Sequence, residues 1–135
     1  MKDYLLIDSK LYYQIKEQFG DTGGVYTVIW KRSNVILPIN RFLGIDNGGI
    51  LYIGMANCFL KRVIDLKKSV CMSENNHGFG KTLKYLRLKT PLELPSDNEL
   101  FIQLFHSDDP RGLENKKLLN YQIEFGELPP LNAQT

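Results

Sequence analysis

The stretch ILYIGMANCFLKRV, residues 50–63, changes its hydrophobic period part-way along. Its start, Ile50 to Gly54, is an apolar run of β-branched and aromatic residues stopped by a glycine, the pattern of a short strand. From Phe59 to Cys71, the residues Phe59, Leu60, Val63, Ile64, Leu66, Val70 and Cys71 share one wide arc at about 100° per residue, the pattern of an amphipathic helix. Arg62 falls at the edge of that arc. A strand that hands over to a helix within a few residues points to a chain of mixed α and β elements.

Upstream, Asp46-Asn47-Gly48-Gly49 is a turn whose asparagine and glycines tolerate positive φ. Residues 31–49 contain Pro38, and the part around ILPINRFLG is expected to hold a short strand of its own. VYTVIW, residues 25–30, predicts the first long strand, entered from the turn Asp21-Thr22-Gly23-Gly24. A first helix is expected over about residues 9–19, capped by Asp8 or Ser9 and stopped at Gly20. Downstream, a loop Ser-Glu-Asn-Asn-His-Gly leads to a second basic helix around KTLKYLRL, and the linker PLELPSDN to a third strand, LFIQLF. Asp109 and Pro110 then suit the N-cap and first position of a last helix, which runs to about Phe125. Gly126, Pro129 and Pro130 keep the tail GELPPLNAQT from continuing it.

A chain of 135 residues, 43% hydrophobic and 24% charged, carries enough apolar side chain for one sizeable core and not for two, so a single domain over residues 1–135 is expected. Cys58 and Cys71 form no CxxC pattern and suggest a reducing cytosol. The apolar run near the N-terminus is broken by Asp8, too short for a signal peptide or a membrane span, so the expectation is a soluble, cytoplasmic protein. The overall charge of +2 conceals an asymmetry: Lys61, Arg62, Lys67, Lys68, Lys81, Lys84, Arg87 and Lys89 oppose only Asp65 and Glu74 between residues 61 and 89, a net +6, leaving −4 for the rest. Such a segment is either a face for a polyanion or a solvated helical surface.

Three positions carry potential chemistry. With Glu114 taken as zero, Leu118, Tyr121 and Phe125 lie within about 40° of it, so a carboxylate heads the apolar stripe of the last helix. The helix N-terminus, a salt bridge or a metal ion could satisfy it there. Tyr26 shares a strand face with Val28 and Trp30, and Tyr52 with Ile50 and Gly54, so neighbouring strands can stand the two tyrosines on one side of a sheet. Gly54 leaves room above the backbone for a phosphate or substrate, while a pair of half-buried core tyrosines is the other reading. HGFGKT lacks a P-loop's first glycine, having Asn75 there, and Cys58, Cys71, His77 and His106 include no close pair of zinc ligands.

Taken together, Gly24-Val25-Tyr26, Tyr52-Ile53-Gly54, Arg62, Glu114 and Asn132 within PPLN resemble the GIY-YIG endonuclease superfamily in type and order. The resemblance spans about residues 24–132. The long gap between Tyr26 and Tyr52, with its PINR and GGILYIG segments, is similar to the longer, restriction-enzyme-like and uncharacterised bacterial members. It implies an α+β domain with a central three-stranded antiparallel sheet flanked by helices, which hydrolyses phosphodiester bonds in DNA with one divalent ion, Mg²⁺ or Mn²⁺. By the same resemblance Glu114 would hold the metal and Arg62 would stabilise charge on the scissile phosphate. Tyr26 would act as general base or orient the water with Tyr52 beside it, Asn132 would support the site by hydrogen bonding, and His77 would assist the base or remain a loop histidine. The chemistry is consistent: a hard ion commonly takes one or two carboxylates and keeps its waters, and a tyrosine needs nearby cations to act as a base at neutral pH. Lys61, Lys67, Lys81, Lys84 and Arg87 are candidate phosphate contacts. A binding module without turnover, or a catalytic subunit targeted by a partner protein, are the alternatives.

Overall fold

The computed structural model describes residues 2–71 and 78–132. In chain order the elements are β1 (Tyr4–Leu5), α1 (Leu11–Phe19), β2 (Gly24–Arg32), β3 (Val35–Ile36), β4 (Ile39–Arg41), β5 (Gly44–Asp46), β6 (Ile50–Ala56), α2 (Phe59–Cys71), α3 (Gly78–Lys89), β7 (Leu100–His106) and α4 (Pro110–Phe125). Every strand pairing among them is antiparallel, so the fold is of the α+β class.

β2 is the centre of the sheet, with β6 along one side and β7 along the other, and β1 extends the sheet beyond β7. The alternation along β2 divides the apolar residues between two faces. Tyr26 and Val28 look toward α1, α2 and α3 and share their core with Leu11, Ile15, Phe59, Val63, Phe79 and Leu83. Val25 looks the other way, where it meets Ile53 of β6 and Tyr121 and Phe125 of α4. The centre of the apolar arc of α2 is thus buried through Phe59, Val63, Leu66 and Val70, while Leu60 and Ile64 are half-buried at its edge and Cys71 is exposed.

One irregularity corrects the simple strand arithmetic. Val28 pairs with Tyr52 but Ile29 pairs with Ile50, so Leu51 is an extra residue in a β-bulge. Leu51 and Tyr52 therefore both serve the core beneath the three helices, while Ile50 packs on the α4 side and does not share a face with Tyr52.

The insertion between β2 and β6 contains two hairpins rather than one short strand. Ser33 and Asn34, at φ 51° and 65°, turn β2 back onto β3, and β4 pairs with β5. The β4–β5 hairpin is latched to the chain beyond α4: Arg41 pairs with Glu127 at 2.6 Å and donates to the Leu128 carbonyl at 3.0 Å. β1, too short for any periodicity to register, was not anticipated. At α1 the cap differs as well, because the Asp8 carboxylate accepts from the Lys10 N–H in an Asx turn one step ahead of the helix. At α4 the Asp109 carboxylate accepts from the Gly112 N–H at 3.1 Å with Pro110 in the first turn, as the sequence suggests. No described helix is long and apolar enough to cross a membrane.

Candidate active site

The site forms where β2 and β6 run side by side. Tyr26 and Gly54 are directly opposed, and Tyr52 sits two pairs further along the ladder, opposite Val28. Both phenols stand on the helix-covered face, with ring centres 6.0 Å apart. Gly54 is explained by this pairing. A methyl group there would lie 2.6 Å from the Tyr26 hydroxyl and 2.9 Å from the Tyr52 ring. The room above Gly54 is therefore filled by the phenol of Tyr26 rather than left open for a substrate. Phe79, in the first turn of α3, stacks edge-on against Tyr52 at 5.5 Å and closes the pocket behind it.

The two phenols act on each other electrostatically. Burial pushes the Tyr26 hydroxyl well above the ordinary tyrosine range, and the neighbouring Tyr52 phenol adds to that, while the Arg62 charge acts in the other direction. Tyr52 is half-buried and is also raised by burial, while the Arg62 charge favours its phenolate. At Tyr26 desolvation outweighs the guanidinium, which favours the neutral phenol.

Arg62 and Glu114 complete the group from two further elements. Arg62, in the second turn of α2, is exposed and lines a hollow of about 390 Å³ with Asn57, Cys58, Lys61 and Asp65. Its charge acts on Tyr26, Tyr52 and Glu114 alike. Glu114 is half-buried in the first turns of α4, and burial raises its carboxyl above the usual range, against the pull of Arg111 and Arg62. Its carboxylate makes no hydrogen bond or close ion pair with any described residue, and neither does the Arg62 guanidinium. Of the three ways to satisfy Glu114, a salt bridge is not used among the described residues. A partly desolvated carboxylate within electrostatic reach of two hydroxyls suits a hard divalent ion that retains most of its water, so the donor set fits Mg²⁺ or Mn²⁺. Among the described residues no three acidic, histidine or cysteine side chains gather into a denser metal cluster.

Asn132 reaches the site through the backbone. Its side-chain oxygen accepts from the Ile53 N–H at 3.0 Å and its amide donates to the Ile53 carbonyl at 2.9 Å. With the Leu131 N–H donating to the Leu51 carbonyl at 2.8 Å, the tail pairs with β6 along the edge opposite β2 and holds the residue between Tyr52 and Gly54 in place.

The candidate phosphate contacts separate into two groups. Lys61 and Lys81 are exposed, and Lys84 is half-buried on α3. Lys67 donates to the Asp8 carbonyl at 3.0 Å, and Arg87 is bound to the Pro95 carbonyl and to the Asp97 carboxylate, so both are engaged inside the molecule. His77 lies outside the described residues. Sequence reasoning overlooked Asp46, a buried carboxylate that accepts from the Gly48 and Ile50 N–H groups and from the Tyr121 hydroxyl at 2.9 Å. Its signal was present in the DNGG turn, where an aspartate at the head commonly bonds the backbone two residues on. The chain matches no protein-family model, no curated protein and no solved structure, so the chemistry of the site is read from its own residues.

Proposed function

We propose that the chain is a divalent-metal-dependent endonuclease of the GIY-YIG type, acting on phosphodiester bonds in DNA. The observation that carries this reading is the half-buried Glu114 carboxylate, which has no hydrogen-bond or ion-pair partner among the described residues and lies within electrostatic reach of Arg62, Tyr26 and Tyr52. Glu114 would hold the ion, Mg²⁺ or Mn²⁺, which when bound supplies Lewis acidity to the phosphate and lowers the pKa of a bound water. Arg62, an exposed cation with no carboxylate pair among the described residues, is suited to the negative charge that gathers on the phosphate in the transition state. Burial holds Tyr26 in its neutral form. Orienting or deprotonating the attacking water then falls to Tyr52, the more accessible of the two phenols, rather than to Tyr26. Asn132 preserves the spacing by pinning Ile53. Exposed Lys61 and Lys81 would hold neighbouring phosphates without reading bases.

A second reading is that a partner protein directs the catalytic domain. It draws on the β4–β5 hairpin, whose tip presents Phe42 at 79% and Leu43 at 61% exposure.

Supercoiled plasmid and flapped duplex DNA should be incubated with Mg²⁺ or Mn²⁺ and wild-type protein, with Glu114→Ala and Arg62→Ala prepared in parallel. Wild-type cutting should disappear in Glu114→Ala and fall by on the order of 10²–10³-fold in Arg62→Ala, with DNA affinity little changed. Salt-sensitive DNA binding without cutting would replace the nuclease by a binding module. Absence of both would remove the reading.

A further inference from the structure

On the face of the sheet opposite the tyrosine pair, α4 covers β6 and part of β2 but leaves a hollow of about 460 Å³ toward β7. Its floor is the side chains of Thr27, Gln103 and Phe105 on adjacent strands, and α4 contributes Lys117, Asn120 and Tyr121 to one wall. The volume lies within the range of small-molecule sites.

Lys117 is the unexplained group. It is half-buried, yet its ammonium meets no carboxylate and no hydrogen-bond acceptor among the described residues, only the Phe105 ring, whose centre is 3.9 Å away. Burial lowers its pKa, and no anion offsets that. The acidic groups at the hollow do not reach it. Asp46 has both oxygens occupied by the Gly48 and Ile50 N–H groups and the Tyr121 hydroxyl, and Glu124 is exposed on the rim. A cation without a counterion, an aromatic ring beneath it and two carboxamides beside it form a set that recognises a planar heterocycle bearing an anion. Among the described residues Gln103 uses its side chain in one long contact, accepting from the Thr27 hydroxyl at 3.4 Å, and its amide N–H groups can meet a base edge.

We propose that this hollow binds a single unpaired nucleotide, its base against Phe105 and hydrogen-bonded by Gln103 and Asn120, and its phosphate on Lys117. Lys117 exchanges a weak ring contact for a phosphate and uncovers the ring for stacking. The nucleotide arrives either free or as part of a single strand. The proposal does not rest on the nuclease reading, because the hollow and the tyrosine pair lie on opposite faces of the sheet.

Calorimetric titration in EDTA would test it, using the four deoxynucleoside 5′-monophosphates, a short oligothymidylate and inorganic phosphate. Wild-type protein should bind at least one monophosphate, or the oligonucleotide, saturably at one site. Lys117→Met and Phe105→Leu should each weaken it roughly tenfold, while Glu114→Ala leaves it unchanged. A melting temperature for Lys117→Met at or above that of wild type would show that lost affinity is not lost folding, since the substitution removes a desolvated charge. Oligonucleotide binding much tighter than that of any monophosphate, with the same dependence on Lys117, assigns the site to a strand; equal affinities assign it to free nucleotides. Absence of saturable binding, indifference to Lys117, equal affinity for inorganic phosphate, or loss of binding in Glu114→Ala would each overturn the proposal.

Discussion

Glu114 is held in a position that costs stability. Burial raises its carboxyl, so the folded chain binds that proton more tightly than the unfolded chain does. Stability is then greatest below the unfolded carboxyl range, near about pH 4, and declines as pH rises through the folded value and the charged form takes over. Glu114→Gln removes the charge at nearly constant shape. Thermal melts should give this variant a higher melting temperature than wild type at pH 7–8, with the difference closing below about pH 4. A difference independent of pH would mean that the charge is not what is strained. A Glu114 substitution found both to stabilise the fold and to abolish cleavage would mark a functional site. The residue types here were readable in the sequence: Tyr26, Tyr52, Arg62 and Glu114 could all be named from order and spacing. Their protonation could not, because the direction of the Tyr26 shift depends on how deeply the ring is buried against Gly54 and Tyr52.

At the scale of elements, α4 has to be set against β6 for Glu114 to come within electrostatic reach of the tyrosines. Two ties do this. One is the apolar contact of Tyr121 and Phe125 with Val25 and Ile53. The other is polar: Asp46, at the head of the turn into β6, holds the Gly48 and Ile50 N–H groups and the Tyr121 hydroxyl at once. That hydroxyl lies two helical turns beyond Glu114, and its bond to Asp46, after burial, raises its pKa. Asp46→Ala leaves the buried Tyr121 hydroxyl and two partly buried N–H groups without their acceptor and should destabilise the protein by about 2–4 kcal/mol in urea unfolding, against about 1 kcal/mol for Tyr121→Phe. Because the two side chains share one bond, the double variant should lose less than the sum. Strict additivity would show that the tie is not shared. The limits of α2 and α4 followed from period and capping residues, whereas β6 runs past the expected stop at Gly54 to Ala56, and the β-bulge at Leu51 was not legible. A bulge adds one residue to one strand, and only its partner strand makes that addition visible.

Over the whole molecule, charge is distributed unevenly. The exposed Lys61 lies beside Arg62 at the hollow, and Lys81 follows Phe79, which packs on Tyr52. Arg87, as basic in the sequence as any of them, is bound to Asp97 and the Pro95 carbonyl and is removed from the set. If Lys61 and Lys81 each meet a phosphate, their double replacement by alanine should flatten the salt dependence of DNA binding by about 1.8 in slope, while Arg87→Ala should chiefly lower stability. Fluorescence anisotropy across a salt series measures the first, and an unchanged slope would withdraw the two lysines from the interface. What the sequence by itself determined is local: which of the longer segments are strands or helices, where caps and breakers end the helices, and where positive charge accumulates, all set by period, backbone restriction and capping within a few residues. Only the tertiary structure decided that the bulge at Leu51 puts Ile50 and Tyr52 on different faces, that Tyr26 occupies the space over Gly54, that Arg87 and Lys67 are spent internally, and that Lys117 lies half-buried without a counterion among the described residues. The physical reason is that burial and pairing belong to the contacts between elements distant in the chain, and no local pattern carries them.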